Sequence, residues 1–242
     1  MIHVNIGITM EAALPDTPPS PRRRYGGVLP EERQRLRRAK LIEGAIEVFG
    51  TKGFHAATVR EVCVAAHLTE RYFYESFKTL PQLFLATYAD LREQLMALTL
   101  AALKKADPTP LGMLEPGIRV FLEFIRDDPR RGRIMLVDSL GVNDEVAALS
   151  GATARDYSAM MRQHLHLLVP KARMGDINLD LLADGMIGLN VLLASRWMQD
   201  GFVEHIDKVV STNLMPYQGL LFLMGEAGRE QPGSPSAKPT PR

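Results

Sequence analysis

From Ile42 to Met224 the apolar residues of this chain recur every three or four positions, and almost nowhere do they alternate in twos. A period near 3.6 gives each segment one apolar stripe to bury, as a helix requires, whereas a half-buried strand needs a period of two. The expected fold class is therefore all-α. A first helix spans about Glu31 to Gly50, with Ile42, Ala45, Ile46 and Phe49 on one stripe and Gly53 suited to a left-handed stop. Thr58-x-x-Glu61 reads as a capping box opening a second helix, on which Val59, Val62, Cys63 and Ala66 share a face. Thr69 opens a third, with Leu68 and Phe73 spaced as a hydrophobic staple. Thr79-x-x-Gln82, with Pro81 in the first turn, opens a long fourth helix to about Leu103. Further helices are expected at about 111–127, 129–139, 143–169, 178–200 and 205–225, with breaks at Asp107-Pro108, Asp128-Pro129, Gly141 and Gly175. Pro116 and Pro216 fall inside helical patterns, where the missing N–H and the ring clash should bend or interrupt them.

Charge divides the chain unevenly. The net total is only +1, yet Arg22 to Lys78 holds 12 Lys and Arg against 7 Asp and Glu. A basic module on a near-neutral body is what phosphate recognition by one part of a chain requires, although uneven surface charge also arises without such a partner. Residues 15–30 hold Pro15, Pro18, Pro19, Pro21 and Pro30 around an arginine cluster, residues 227–242 are rich in Gly, Pro and Ser, and the two ends, 1–30 and 227–242, bury too little apolar surface to offset ordering entropy. Both read as disordered extensions; Arg22-Arg23-Arg24 in the first is either a DNA-contacting arm or a solvated charge run, and translation starts at Met1 or at Met10. The single cysteine, Cys63, leaves no intramolecular disulfide and no cysteine-based zinc site, and suits a core position better than a redox switch. His164 and His166 diverge on a helix and are no metal pair, so neither metal nor cofactor is expected. The most apolar stretch, Leu179–Met198, is interrupted by Asp180, Asp184, Asn190 and Arg196, which argues against a membrane span. With no signal peptide visible, the expected compartment is the cytoplasm.

The segments 58–66 and 69–77, joined by a short turn, have the dimensions of a helix-turn-helix. Its core would hold Ile46, Phe49, Val59, Val62, Cys63, Leu68, Phe73 and Phe77. The second helix then turns Arg71, Tyr72 and Tyr74 outward, toward a major groove. Arginine pairs with guanine edges or phosphate, and tyrosine bonds phosphate oxygen or lies against a thymine methyl. The helix starts at Thr58 and Thr69 offer free N–H groups and hydroxyls to phosphate. Thr58, Tyr74 and Lys78 are expected on phosphates and Arg71 and Tyr72 on bases, with Arg60 and Thr69 completing the DNA-facing set. Taken alone, two such helices are equally an ordinary hairpin with tyrosines in its core.

The runs Phe49-Gly50-Thr51-Lys52-Gly53-Phe54, Thr58-Val59-Arg60-Glu61-Val62, Ala66-His67-Leu68-Thr69 and Tyr72-Phe73-Tyr74-Glu75-Ser76-Phe77 resemble the DNA-binding domain of the tetracycline-repressor-like (TetR) family. The resemblance is dense over residues 35–85. Beyond them, only Gly188-Leu189-Asn190 through Arg196-Trp197 and Gln199-Asp200-Gly201-Phe202 are similar to the family's penultimate helix. Two departures stand out. His67 replaces a usual turn glycine, and Leu80 replaces a lysine after the Phe77 element, so that phosphate contact is missing or passes to Lys78. Glu70 and Glu75 also repel phosphate.

The resemblance implies a helix-turn-helix domain at 31–79 that binds double-stranded operator DNA, and a helical effector-binding and dimerisation domain at 80–226. It implies a homodimer on a palindromic operator, most commonly a repressor, released by a small-molecule effector, with the fourth helix as lever and no membrane partner. Gly185, Gly188, Leu189, Leu214, Tyr217 and Leu221 are the expected dimer contacts, or else simply intramolecular core. Tyr88, Phe121, Phe124, Met135, Tyr157, Met161, His164 and Trp197 would line the effector pocket, if they are not merely packing; their character favours an apolar or aromatic ligand. The alternatives are a helical adaptor, an effector-independent DNA-binding protein, or a helical-bundle enzyme. Against the last, the sequence holds no Gly-rich phosphate loop, no His-Glu metal spacing and no nucleophile elbow.

Overall fold

The computed structural model describes residues 29–168 and 178–226. Within them the chain is helical throughout: α1 Pro30–Lys52, α2 Val59–Ala65, α3 Glu70–Ser76, α4 Leu80–Leu103, α5 Pro110–Asp127, α6 Pro129–Gly132, α7 Asp144–Leu168, α8 Leu179–Gln199 and α9 Ile206–Glu226. The expected extensions, the Arg22–Arg24 arm and the Gly175 break lie outside the described residues. No helix among them is long and apolar enough to cross a membrane.

The helix starts follow their caps. Thr58 accepts from the Glu61 N–H while Glu61 reaches back to the Thr58 N–H, a complete capping box. Thr79 and Thr109 accept from N–H groups three residues on, at 3.3 Å and 3.2 Å. Gly53 ends α1 at φ +86°, ψ 158°, a positive-φ region more extended than the left-handed helix and open essentially to glycine alone. α5 and α9 run on through Pro116 and Pro216 without interruption. α4 and α9 both pack against α5.

Helices α1, α2 and α3 close around fully buried Leu41, Phe49, Val62 and Phe73, with Cys63 also buried and Ile46, Val59 and Leu68 half-buried at the margin. Burial pushes the Cys63 thiol up, and nearby Glu70 adds to it, as befits a core residue. This small core does not end at its third helix. Phe84, in the first turns of α4, meets Phe49 and Phe54 at ring-centroid distances of 5.3 Å each, so the helix leaving the head is also part of its floor. Beyond it α4, α5, α7, α8 and α9 form the body, with α5 packed against α4 and α9, and α7 against α8.

Candidate nucleic-acid interface and ligand cavity

At the turn between α2 and α3, His67 adopts φ +53°. Its N–H reaches the Val64 carbonyl at 3.1 Å and the Leu68 N–H reaches Cys63 at 2.9 Å, the paired closure of a Schellman turn. The turn therefore keeps the left-handed geometry that glycine would accept more easily. On the face it orients, Arg60, Thr69, Arg71, Tyr74 and Lys78 are all exposed. Tyr72 is half-buried because the Arg37 guanidinium of α1 lies 4.4 Å above its ring. Glu75, expected to repel phosphate, has its charge offset: it accepts from Arg71 Nε at 3.2 Å and from Arg37 at 3.4 Å. The Thr58 hydroxyl is committed to Glu61 at 2.9 Å, and Lys52 pairs with the same carboxylate. Lys52 first, then Thr58, holds the Glu61 carboxyl below its ordinary range. Thr69 makes no capping bond of its own. Leu80 is half-buried against the core, so its place after Phe77 serves packing.

In the body a cavity of about 600 Å³ opens between α4, α5, α7, α8 and the stretch after α6. Its walls are largely hydrocarbon, and its size lies within the range of small-molecule sites. Tyr88, Phe121, Met135, Tyr157, Met161 and His164 stand on the lining. Phe124 and Trp197 do not. Phe124 is buried beneath the Arg131 guanidinium, 4.5 Å from its ring. Trp197 donates its indole N–H to the Glu204 carbonyl at 2.9 Å and packs edge-on against Phe202, pinning the turn after α8. Both are core residues, which helical period alone does not distinguish from pocket.

The stretch after α6 joins these two regions. It runs through a π-helical turn, Arg133–Val137, and a 3₁₀ turn, Asp138–Leu140, where one straight helix to about residue 139 was expected. Met135, Leu136, Ser139 and Leu140 line the cavity. On the opposite side, Arg133 donates to the Thr51 and Lys52 carbonyls at 3.0 and 3.2 Å, covering the C-terminal end of α1. Asp138 accepts the Phe54 N–H at 3.0 Å, and Arg130 pairs with Glu47. Asp128 caps α6 and holds Arg130 through Nε at 2.8 Å. Burial pushes the Asp128 carboxyl up, but the bonds and charge of Arg130 outweigh it and leave it below its ordinary range. Gly50 faces Arg130 so closely that a Cβ there would collide with that side chain.

Comparison with known proteins bears on this arrangement. Residues 41–87 match the family described as bacterial regulatory proteins, tetR family. Over that segment the chain is similar to the tetR family. The HTH-type transcriptional activator FasR of Mycolicibacterium smegmatis is 25% identical over 181 residues, covering 73% of this chain and 78% of FasR. The fold matches a transcriptional regulator FadR from Bacillus subtilis in complex with stearoyl-CoA at TM-score 0.65, with 16% identity over 73% of this chain and 95% of that one. A putative transcriptional regulator from Pseudomonas aeruginosa PAO1 matches at TM-score 0.69, with 18% identity over 84% and 96% of the two chains. The match over residues 41–87 supports a DNA-binding regulatory role.

Of the residues expected between two copies of this chain, Gly185 and Gly188 are exposed, with open space above them, and Leu189 is half-buried. Leu214 and Tyr217 are buried inside the chain, Tyr217 accepting a bond from Asn190 at 3.1 Å. They are therefore unavailable to a partner. The side chain of Leu221 lies outside the described residues. The outward apolar face is offset from the expected one: Leu181, Gly185, Gly188 and Leu192 on α8, with Met215, Gly219 and Phe222 on α9. Sequence reasoning missed Arg130, Arg133 and Asp138 altogether. It noted Asn190 as a break in an apolar run and as part of the penultimate-helix resemblance, not as a cavity residue; a lone amide amid such a run was the available signal.

Proposed function

We propose that this regulator binds a palindromic operator as a homodimer and lets go when a long, mainly hydrocarbon ligand fills the cavity, relieving repression. One observation carries the reading: residues 133–140 are at once a wall of the cavity and the grip on the end of α1. A ligand that displaces Met135 or Leu136 acts on the segment whose Arg133 and Asp138 hold the reading head. It shifts the balance only as far as it favours one arrangement of that segment over the other. α4 supplies a second route, since Phe84 lies in the head and Leu95 and Thr99 on the cavity. The exposed apolar face of α8 and α9, with its glycines, supports pairing of two copies by close helix approach. Two-fold pairing sets two recognition helices at half-site spacing. The hydrocarbon walls support an acyl chain, the class of ligand named with the Bacillus subtilis regulator.

The test is fluorescence anisotropy on the promoter DNA flanking the gene, over a salt series, with and without palmitoyl-CoA. Affinity should fall steeply with salt and drop further on adding the ligand. A reporter driven by that promoter should rise in output when the gene is deleted; a fall would reverse the sign of regulation. Sedimentation at micromolar concentration should give twice the 26.9 kDa chain mass. A single-chain mass there would remove the dimer.

A further inference from the structure

Few polar groups interrupt the cavity wall, and several are satisfied by their own helices. The Thr99, Ser139 and Thr153 hydroxyls each donate to the carbonyl four residues back, at 2.9 Å. Two groups on the lining differ. Asn190 Oδ1 and the Tyr157 hydroxyl are buried and have no hydrogen-bond partner. Asn190 is only 8% exposed, and its Nδ2 donates to the Tyr217 hydroxyl at 3.1 Å, which fixes the plane of the amide. Thr99 stands close enough to the Tyr157 hydroxyl to interact with it favourably, and Arg92 and Tyr88 act on it through charge, but none of them makes a hydrogen bond of normal geometry to it, the Thr99 hydroxyl being given to the Leu95 carbonyl. Burial keeps this phenol above its ordinary range, so it stays protonated and able to donate. Folded proteins pair nearly all such buried groups, because an unpaired one forfeits its hydration for nothing.

We propose that Asn190 and Tyr157 form a polar anchor that makes the cavity select an amphiphile, a long hydrocarbon ending in one acyl carbonyl, over a plain hydrocarbon. Tyr157 donates to the carbonyl oxygen. Asn190 serves either head chemistry, because the Tyr217 hydroxyl can accept from Nδ2 or donate to Oδ1. A carboxylic acid, kept protonated in so apolar a site, gives its hydrogen to Oδ1. A thioester has no hydrogen to give and takes one from Nδ2 with the amide turned over. The inference rests on the ligand-controlled reading above and adds the residues that read the ligand's head.

The test is isothermal titration of the full chain with palmitic acid, palmitoyl-CoA and hexadecane, each delivered from cyclodextrin, on wild type, Tyr157→Phe and Asn190→Leu. Wild type should bind at least one carbonyl probe roughly tenfold more tightly than hexadecane, and the tighter of the two identifies the head as acid or thioester. Each variant should lose roughly tenfold for that probe and nothing for hexadecane. Tyr157→Phe removes a hydroxyl that has no partner, so the ligand-free protein should melt no lower than wild type. That separates an anchor from a structural role and keeps the test standing should Asn190→Leu fail to fold. Equal binding of hexadecane and both carbonyl probes, or unchanged binding in Tyr157→Phe, would overturn the anchor alone. Binding of none of the three would overturn the ligand-controlled reading as well.

Discussion

Within α2 and α3 most bonds that shape the candidate DNA-facing surface join near neighbours: Thr58 to Glu61, Leu68 to Cys63, Arg71 to Glu75. The bonds that tie the cavity wall to the same domain span 81 to 84 positions: Arg133 to Lys52 and Thr51, Arg130 to Glu47, Phe54 to Asp138. The first set is written into spacing and forms wherever the helix forms. The second exists only once the body has folded against the head, so it reports on the body's state. In the proposed scheme recognition is local and control is long-range.

The sharpest way to break that contrast is to cut the floor the two regions share. Phe84→Ala should cost about 3–5 kcal/mol in urea denaturation, since it empties a fully buried ring site against Phe49 and Phe54. Operator binding should go with it. A variant that still bound DNA normally would show that the head is independent of α4. Next comes the grip alone. Asp138→Ala removes a charged acceptor from the Phe54 N–H and should cost about 1.5–3 kcal/mol. Operator affinity should stay near wild type while palmitoyl-CoA loses its effect in anisotropy; an intact ligand response would return the coupling to α4. On the recognition side, Arg71→Ala should cost about 1–3 kcal/mol of discrimination between operator and single-base variants. Its ligand response should be untouched, and unchanged discrimination would take Arg71 off the bases. The smallest effect belongs to the turn. His67→Gly should stabilise by about 1 kcal/mol, read as a higher melting temperature, because the backbone already sits at positive φ. A lower one would mean that the imidazole makes a contact worth more than the strain.

These differences explain what the sequence could disclose. Caps and stripes are local, so α2, α4 and α8 could be placed from Thr58, Thr79 and the run after Asn178. The helix-turn-helix core, Phe49, Val62 and Phe73, follows from period and staple. Which side of a buried helix faces a void depends on its neighbours. Phe121 and Phe124 share α5 and similar chemistry, yet only Phe121 reaches the cavity. On α9 the stripe through Leu214 and Tyr217 is real but turns inward, and an apolar face one residue out of phase looks outward. A helix apolar on both sides gives no clue to which side meets a partner. Arg130, Arg133 and Asp138 looked like ordinary surface charge, because their partners lie in another part of the chain.

The π-helical turn at Arg133–Val137 gives the link between cavity and head an arithmetic of its own. A π turn carries one residue more than an α turn, and a backbone cannot shed a fraction of a residue. If ligand contact at Met135 drew this turn into α geometry, everything after it would shift register by one step: about 1.5 Å along the axis and about 100° around it. Asp138 would leave the Phe54 N–H in that step rather than drift from it. The regulator's sensitivity would then be set by how many molecules have slipped a notch, and not by how far each one has bent.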